Sequence, residues 1–318
     1  MGYTTQDVWN LALTMLAQPS TFIASGLPSG GGQNDQYTIT PTIQAILWMI
    51  EGQNRLGRLC TPIPDTVNYS GAAGQPATGP YSAMSSASGR PLYRPTQMAI
   101  GSAILAATNT GYLRGPYSWY PNDPATGNPT AWADNDTVAL IGSGVYATTP
   151  TFTINGYFLP QPVKYLFSGA TVATATLSVA TGPIGNNPAA GDIIYLSGGS
   201  VTPGNYTVAS VTNSTTLVLT TNPGNSSGNV NGASPLDAFL DDFRFRALGY
   251  YVAWETAQKN MYNQRLAQQI APCANEWIGS VKEIYDRVIE NDPTLAGIFA
   301  PEPIDAQIQL IKQMFPRT

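Results

Sequence analysis

The chain of 318 residues contains no histidine. That excludes a Ser-His-Asp or Cys-His catalytic arrangement and every metal site that needs an imidazole. Charge is scarce as well. Asp, Glu, Lys and Arg together make up 10% of the residues, against about a quarter in an ordinary globular protein. The net charge of −5 leaves no basic footprint for sequence-independent binding to DNA or RNA. No apolar run approaches the roughly 18 residues that would cross a bilayer, so no membrane partner is expected. The opening MGYTTQDVWN has neither a basic n-region nor an apolar h-region, so no signal peptide is expected. The two cysteines, Cys60 and Cys273, form no CxxC. They read either as two free buried thiols in helices or as one long-range disulfide.

What is present is a chain with helical ends and a β-rich middle. TTQDVWNLALTMLAQ places Val8, Leu11 and Met15 on one face, with Thr4 or Thr5 as the cap, Asp7 in the first turn and Pro19 as the stop. Thr40-Pro41 opens a second helix with an apolar stripe of Ile43, Ile46, Leu47 and Ile50. Residues 61–95 and 115–136 read as long Pro/Gly loops, with a short helix near 96–107. Strand patterns then recur at intervals of about 8 to 12 residues, as in a small sandwich or barrel. They end with GNYTVASVTNSTTLVL, two alternating runs around Asn213-Ser214. Between Val138 and Ser234 only Lys164 and Asp192 are charged, whereas charges are frequent from Pro235 onward. Ser234, Pro235 and Asp237 resemble a helix start. A long helix carrying Phe239, Phe243, Ala247, Tyr250 and Trp254 is expected from there until Pro272 breaks it, with another helix over ANEWIGSVKEIYDRVIEN.

The expected fold is α+β: a helical bundle made from the two chain ends, 1–137 plus 235–318, with a small antiparallel β-sandwich or barrel inserted over 138–234. Deleting the insert should then leave a folded bundle.

Little chemistry can be assigned to these residues. There is no GxxxxGK[ST] loop, and SGGSVTPG at 197–204 reads as a turn between strands. Asp241 and Asp242 are adjacent on a helix and face different ways, so they do not form a pair across a cleft. Asp192 is the only acid in the β region. The chain therefore reads as a non-enzyme, with no cofactor and no metal. Glu276, Glu283 and Glu290 fall seven apart and share one helix face within about 20° per step. They form either a solvated face or, in a ring of copies, an acidic channel lining that does not hold DNA. Arg55, Arg58, Arg244 and Arg246 read either as intrachain ion-pair partners or as contacts to a neighbouring subunit. Met314, Phe315 and Arg317 form either a frayed end or a docking tail.

The helix TTQDVWNLALTMLAQ resembles the opening helix of head–tail connector (adaptor, neck-ring) proteins of tailed bacteriophages, of the podovirus tail-accessory type. IQAILWMIEGQNRLGRL and the late helices are similar to that family too. GDIIYLSGGSVTPGNYTVASVTNSTTLVL is similar to small β modules of phage structural proteins. The resemblance implies a virion structural protein that forms a homo-oligomeric, dodecameric ring and docks on the portal protein. Such a ring extends the channel through which double-stranded DNA passes and offers an attachment surface to tail or nozzle proteins. The chain would be made in the bacterial host cytoplasm and reside in the virion neck or tail. Two other readings stand beside it. One is a tail or fibre protein that binds a receptor or glycan through Trp and Tyr of the β module. The other is a hydrolase on a β scaffold using Asp192.

Overall fold

The structure, a computed structural model, describes residues 2–18, 41–59, 63–70, 78–80, 84–104, 106–108, 131–134, 138–142, 151–180, 182–260 and 263–293. The chain parts into two compact units, one formed by 1–61 with 163–318 and the other by 62–162.

Helix α1 (Thr5–Met15) begins with a capping box. The Thr4 side chain accepts from Asp7 N, and the Asp7 carboxylate accepts from Thr4 N at 2.8 Å, so two of the helix's unpaired N–H groups are satisfied. Its buried face is Thr5, Val8, Trp9, Ala12 and Leu13. Helix α2 (Pro41–Leu59) starts on proline, whose missing N–H has no partner in a first turn anyway. Its buried stripe runs through Ala45, Ile46, Met49 and Leu56, while Leu47 and Ile50 are only half-buried.

The unit of 62–162 is built from strands. Strands β1 (Pro64–Ser70), β2 (Thr78–Pro80), β3 (Leu92–Ile100), β4 (Ala103–Ile104), β5 (Ala106–Thr108), β6 (Ala131–Asp134), β7 (Val138–Gly142) and β8 (Thr151–Phe158) form two four-stranded sheets. Their orders are β1-β8-β3-β4 and β2-β7-β6-β5. The helix expected at 96–107 and the loop expected at 61–95 are therefore corrected. Strand β3 contains Pro95 at a register shift against β8, and Pro and Arg interrupt its alternation, which hides the strand in the sequence.

In the other unit, β9 (Leu166–Ala173), β10 (Thr176–Ser178), β11 (Ile193–Ser197), β12 (Gly204–Asn213), β13 (Thr216–Leu219) and β14 (Ser226–Ala233) close an antiparallel barrel in the order β10-β13-β12-β11-β14-β9. Val172, Leu177, Ile194, Leu196, Val208, Leu217, Leu219 and Val230 pack inside it. A six-stranded barrel is narrow enough for side chains to fill. At its seam Gly232 lies opposite Phe167, whose ring occupies the space a Cβ would need. Strands β12 and β13 form the expected hairpin. Asn213 Oδ1 accepts from Thr215 N at 2.9 Å and ties the turn.

Helix α3 (Asp242–Lys259) is capped by Asp241, whose carboxylate accepts from Arg244 N. Helix α4 (Gln264–Ala267) is one turn, and α5 (Ile270–Asn291) follows. Helix α3 ends at Lys259 and Pro272 lies in the first turn of α5, so Pro272 starts a helix rather than ending one. Helix α3 packs against α1, α2 and α5, and its buried residues, among them Ala247, Leu248, Tyr251, Val252 and Trp254, encircle it.

The expected bundle of chain-end helices around one inserted β domain is corrected. The fold is mixed, with β structure already present from Pro64. The helical core also takes in Val163 and Leu166 at the entrance to the barrel, so helices and barrel belong to one unit. The unit boundaries fall at 61/62 and 162/163 rather than at 138 and 234. Among the described residues no helix is long and apolar enough to cross a membrane.

Candidate functional site

The acids and bases singled out in the sequence mostly serve structural roles. Asp192 accepts from Lys164 Nζ at 2.6 Å, Tyr165 Oη at 2.7 Å and Ala189 N at 2.7 Å. It anchors the strap before β11. Burial, reinforced by the bond to Asp192, raises the Tyr165 phenol well above its ordinary range. Asp241 caps α3, and Asp242 accepts from Tyr3 Oη at 2.6 Å. Among the described residues no group of His, Cys, Asp and Glu could hold a metal ion.

Glu276, Glu283 and Glu290 are all exposed on α5, opposite the buried Trp277, Val281 and Ile284. Glu283 pairs with Arg287 at 2.6 Å, four residues on. The Arg287 guanidinium in turn lies 3.9 Å from the ring centroid of Phe243, a side chain that is 44% exposed although its spacing suggests core. Arg244 pairs with Asp241 at 2.5 Å, and Arg55 pairs with Glu51 at 2.9 Å while lying over the Tyr251 ring. Arg246 and Arg58 are exposed. Met314, Phe315 and Arg317 lie outside the described residues, as does Cys60. Cys273 is a free, buried thiol, pushed up to about 11 by burial and secondarily by Glu276.

A groove of about 780 Å³ lies beside α1. One wall is the first two turns of α1, with Tyr3, Gln6, Asp7 and Asn10. The other is the outer face of the barrel. Ile194 and Leu196 point into the barrel core, so Tyr195 and Ser197 point outward. Asn205 and Ala233 sit directly across from Tyr195 on the neighbouring strands, and Asn231 sits across from Ser197. Tyr3 stacks on Phe245 at 3.8 Å between centroids and donates to Asp242, which fixes its ring.

Beneath the groove the start of the chain is fastened to the end of the barrel. Thr5 N donates to Ser234 O, Leu236 N donates to Tyr3 O, and Thr4 bridges Pro235. Thr5 Oγ1 donates to Tyr165 O at 2.6 Å and accepts from Ser234 N at 3.0 Å. The Ser234 hydroxyl accepts from Lys164 N and Tyr165 N, both at 2.8 Å. Ser234 is thus not a helix cap, and Asp241 takes that role seven residues later. Sequence reasoning missed both the fastening and the groove. The alternation in IIYLS marks Tyr195 and Ser197 as outward-facing, but no local signal pairs them with α1, nearly 200 residues earlier.

The chain matches no known family profile and no curated protein sequence.

Proposed function

We propose that this protein is a structural component of a phage virion, a head-to-tail adaptor. Copies would form a ring on the portal protein, extend the DNA channel and present a surface to tail or nozzle proteins. The observation that carries this reading is the exposed acidic face of α5, where Glu276, Glu283 and Glu290 stand clear of the core on one side of a 22-residue helix. Arg287 offsets Glu283, but with Glu276 and Glu290 the face stays net negative, and net negative charge repels phosphate, which suits a wall past which DNA slides without sticking. The exposed Phe243 with Arg287 stacked on it supports the same reading, because aromatic and Arg side chains dominate contacts between chains.

The test is electron microscopy of the protein alone and after mixing with a portal protein of a tailed phage. Rings, formed alone or on the portal, are expected. Monomers in both samples would overturn the adaptor reading. The second reading, a receptor- or glycan-binding tail protein, has one observation in its favour, the groove between α1 and the barrel.

A further inference from the structure

We infer that the groove between α1 and the barrel wall binds a neutral oligosaccharide. The inference deepens the second reading but does not require that the chain be a fibre, and it is independent of ring formation.

The groove is preorganised. Its walls are a capped helix and a closed barrel, and the bonds of Thr5 to Ser234 and of Leu236 to Tyr3 hold the lining residues Tyr3, Thr4, Ala233 and Pro235 together. Side chains held on such elements lose little entropy when a ligand arrives. The volume lies within the usual range for ligand clefts, about 300–1,000 Å³.

Its chemistry is selective. The carboxamides of Asn205 and Asn231 and the hydroxyls of Ser197 and Tyr195 make no side-chain hydrogen bond to other described residues, and all face the groove. Gln6 donates to Asn10 at 2.9 Å on the facing wall. Carboxamides and hydroxyls both donate and accept, as do the hydroxyls of a sugar. The Tyr195 ring and the Tyr3–Phe245 stack add flat apolar surface for the C–H faces of sugar rings.

Other ligand classes fit less well. The lining holds no Lys or Arg, and its one carboxylate, Asp7, is engaged in the capping box. A phosphate, a sulfate or a nucleic acid would find no counter-charge there. An extended peptide needs a free strand edge to pair with, and the closed barrel has none. An amphipathic helix needs an apolar floor, whereas this wall is mostly amide and hydroxyl.

The test uses the full chain on an array of neutral hexose and N-acetylhexosamine oligosaccharides, with sialylated and sulfated oligosaccharides and unstructured peptides as comparisons. The strongest neutral binder is then titrated by calorimetry. Binding of a neutral oligosaccharide is expected, weakened about tenfold or more by Tyr195→Ala and by Asn231→Ala, since each removes at least one hydrogen bond. Asn205→Ala, at an exposed strand position, gives a third reading should either of those variants fold poorly. Three results would overturn the site: no neutral oligosaccharide retained, preference for acidic glycans or peptides, or equal binding by folded variants. Electron microscopy on the same samples separates the two proposals, because binding without rings removes the adaptor and leaves the groove, and rings without binding do the reverse.

Discussion

Thr5 and Ser234, 229 residues apart in the chain, hydrogen-bond in both directions: Thr5 N donates to Ser234 O at 2.9 Å, and Ser234 N donates to Thr5 Oγ1 at 3.0 Å. Both residues are buried, and Tyr165 joins them through its own N–H and carbonyl. The pair fastens the first helix to the last barrel strand. Its chain neighbours Thr4, Ala233 and Pro235 line the groove proposed to hold a sugar.

Replacing either partner should therefore be expensive for a single hydroxyl. Ser234→Ala leaves Lys164 N and Tyr165 N without their acceptor, whereas Thr5→Val removes one of two donors to Tyr165 O, the other being Ser234 N. In denaturant titrations Ser234→Ala should lower stability by about 1–3 kcal/mol and Thr5→Val by about 0.5–1.5 kcal/mol. A loss below a few tenths would show that the fastening is not formed in solution.

Helices α2 and α3 approach closely at Gly52. A Cβ there would lie 2.7 Å from both Leu248 Cδ1 and Tyr251 Cδ1. Helix propensity alone would make Gly52→Ala stabilising by up to about 1 kcal/mol. Overpacking should reverse the sign and cost about 1–3 kcal/mol. Thermal unfolding of the variant decides between the two.

Glu255 titrates high because burial penalises its charge and Glu51 repels it, and these outweigh the Tyr251 hydrogen bond and Arg55. The folded chain then holds this proton more tightly than the unfolded chain. Stability falls as pH rises from the unfolded carboxylate value, near 4.5, through the folded one, and the penalty is complete above it. Glu255→Gln removes the penalty and still accepts from Tyr251. Its melting temperature should exceed that of the parent at pH 7 and converge with it near pH 4. A lower melting temperature at pH 7 would refute the assignment.

Cys273 should resist alkylation in the folded protein at pH 8, because its thiol is buried and pushed up to about 11. Reaction with a disulfide reagent should become fast only in denaturant. Prompt labelling of Cys273 in the native chain, located by mass spectrometry, would contradict its packing against the α5 core.

The two units also part in a testable way. Replacing 62–162 by a Gly/Ser linker removes a unit whose strands pair among themselves and keeps every member of the Thr5–Tyr165–Ser234 contact. That chain should retain helical circular dichroism and a cooperative melt. Deleting 138–234 removes β8, the strand between β1 and β3, together with Tyr165 and Ser234, and should abolish both.

The sequence by itself determined the local devices and the excluded chemistries. With no histidine there is no imidazole anywhere in the fold. The Thr4–Asp7 capping box, the Asn213 turn and the alternation of IIYLS are readable because each depends on residues two to four apart. The acidic stripe of α5 is likewise a matter of helical period. Tertiary structure decided the rest. It assigned Ser234 to Thr5 and Tyr165 rather than to a helix N-terminus, and made Asp241 the cap. It turned 92–100, interrupted by Arg94 and Pro95, into a strand because β8 supplies partners along its length. It exposed Phe243, although its spacing suggests core, and set α1 against the barrel to form the groove. The physical reason is range: a cap or turn finds its hydrogen bonds within one turn of chain, whereas these partners lie tens to hundreds of residues away and meet only once the cores have packed.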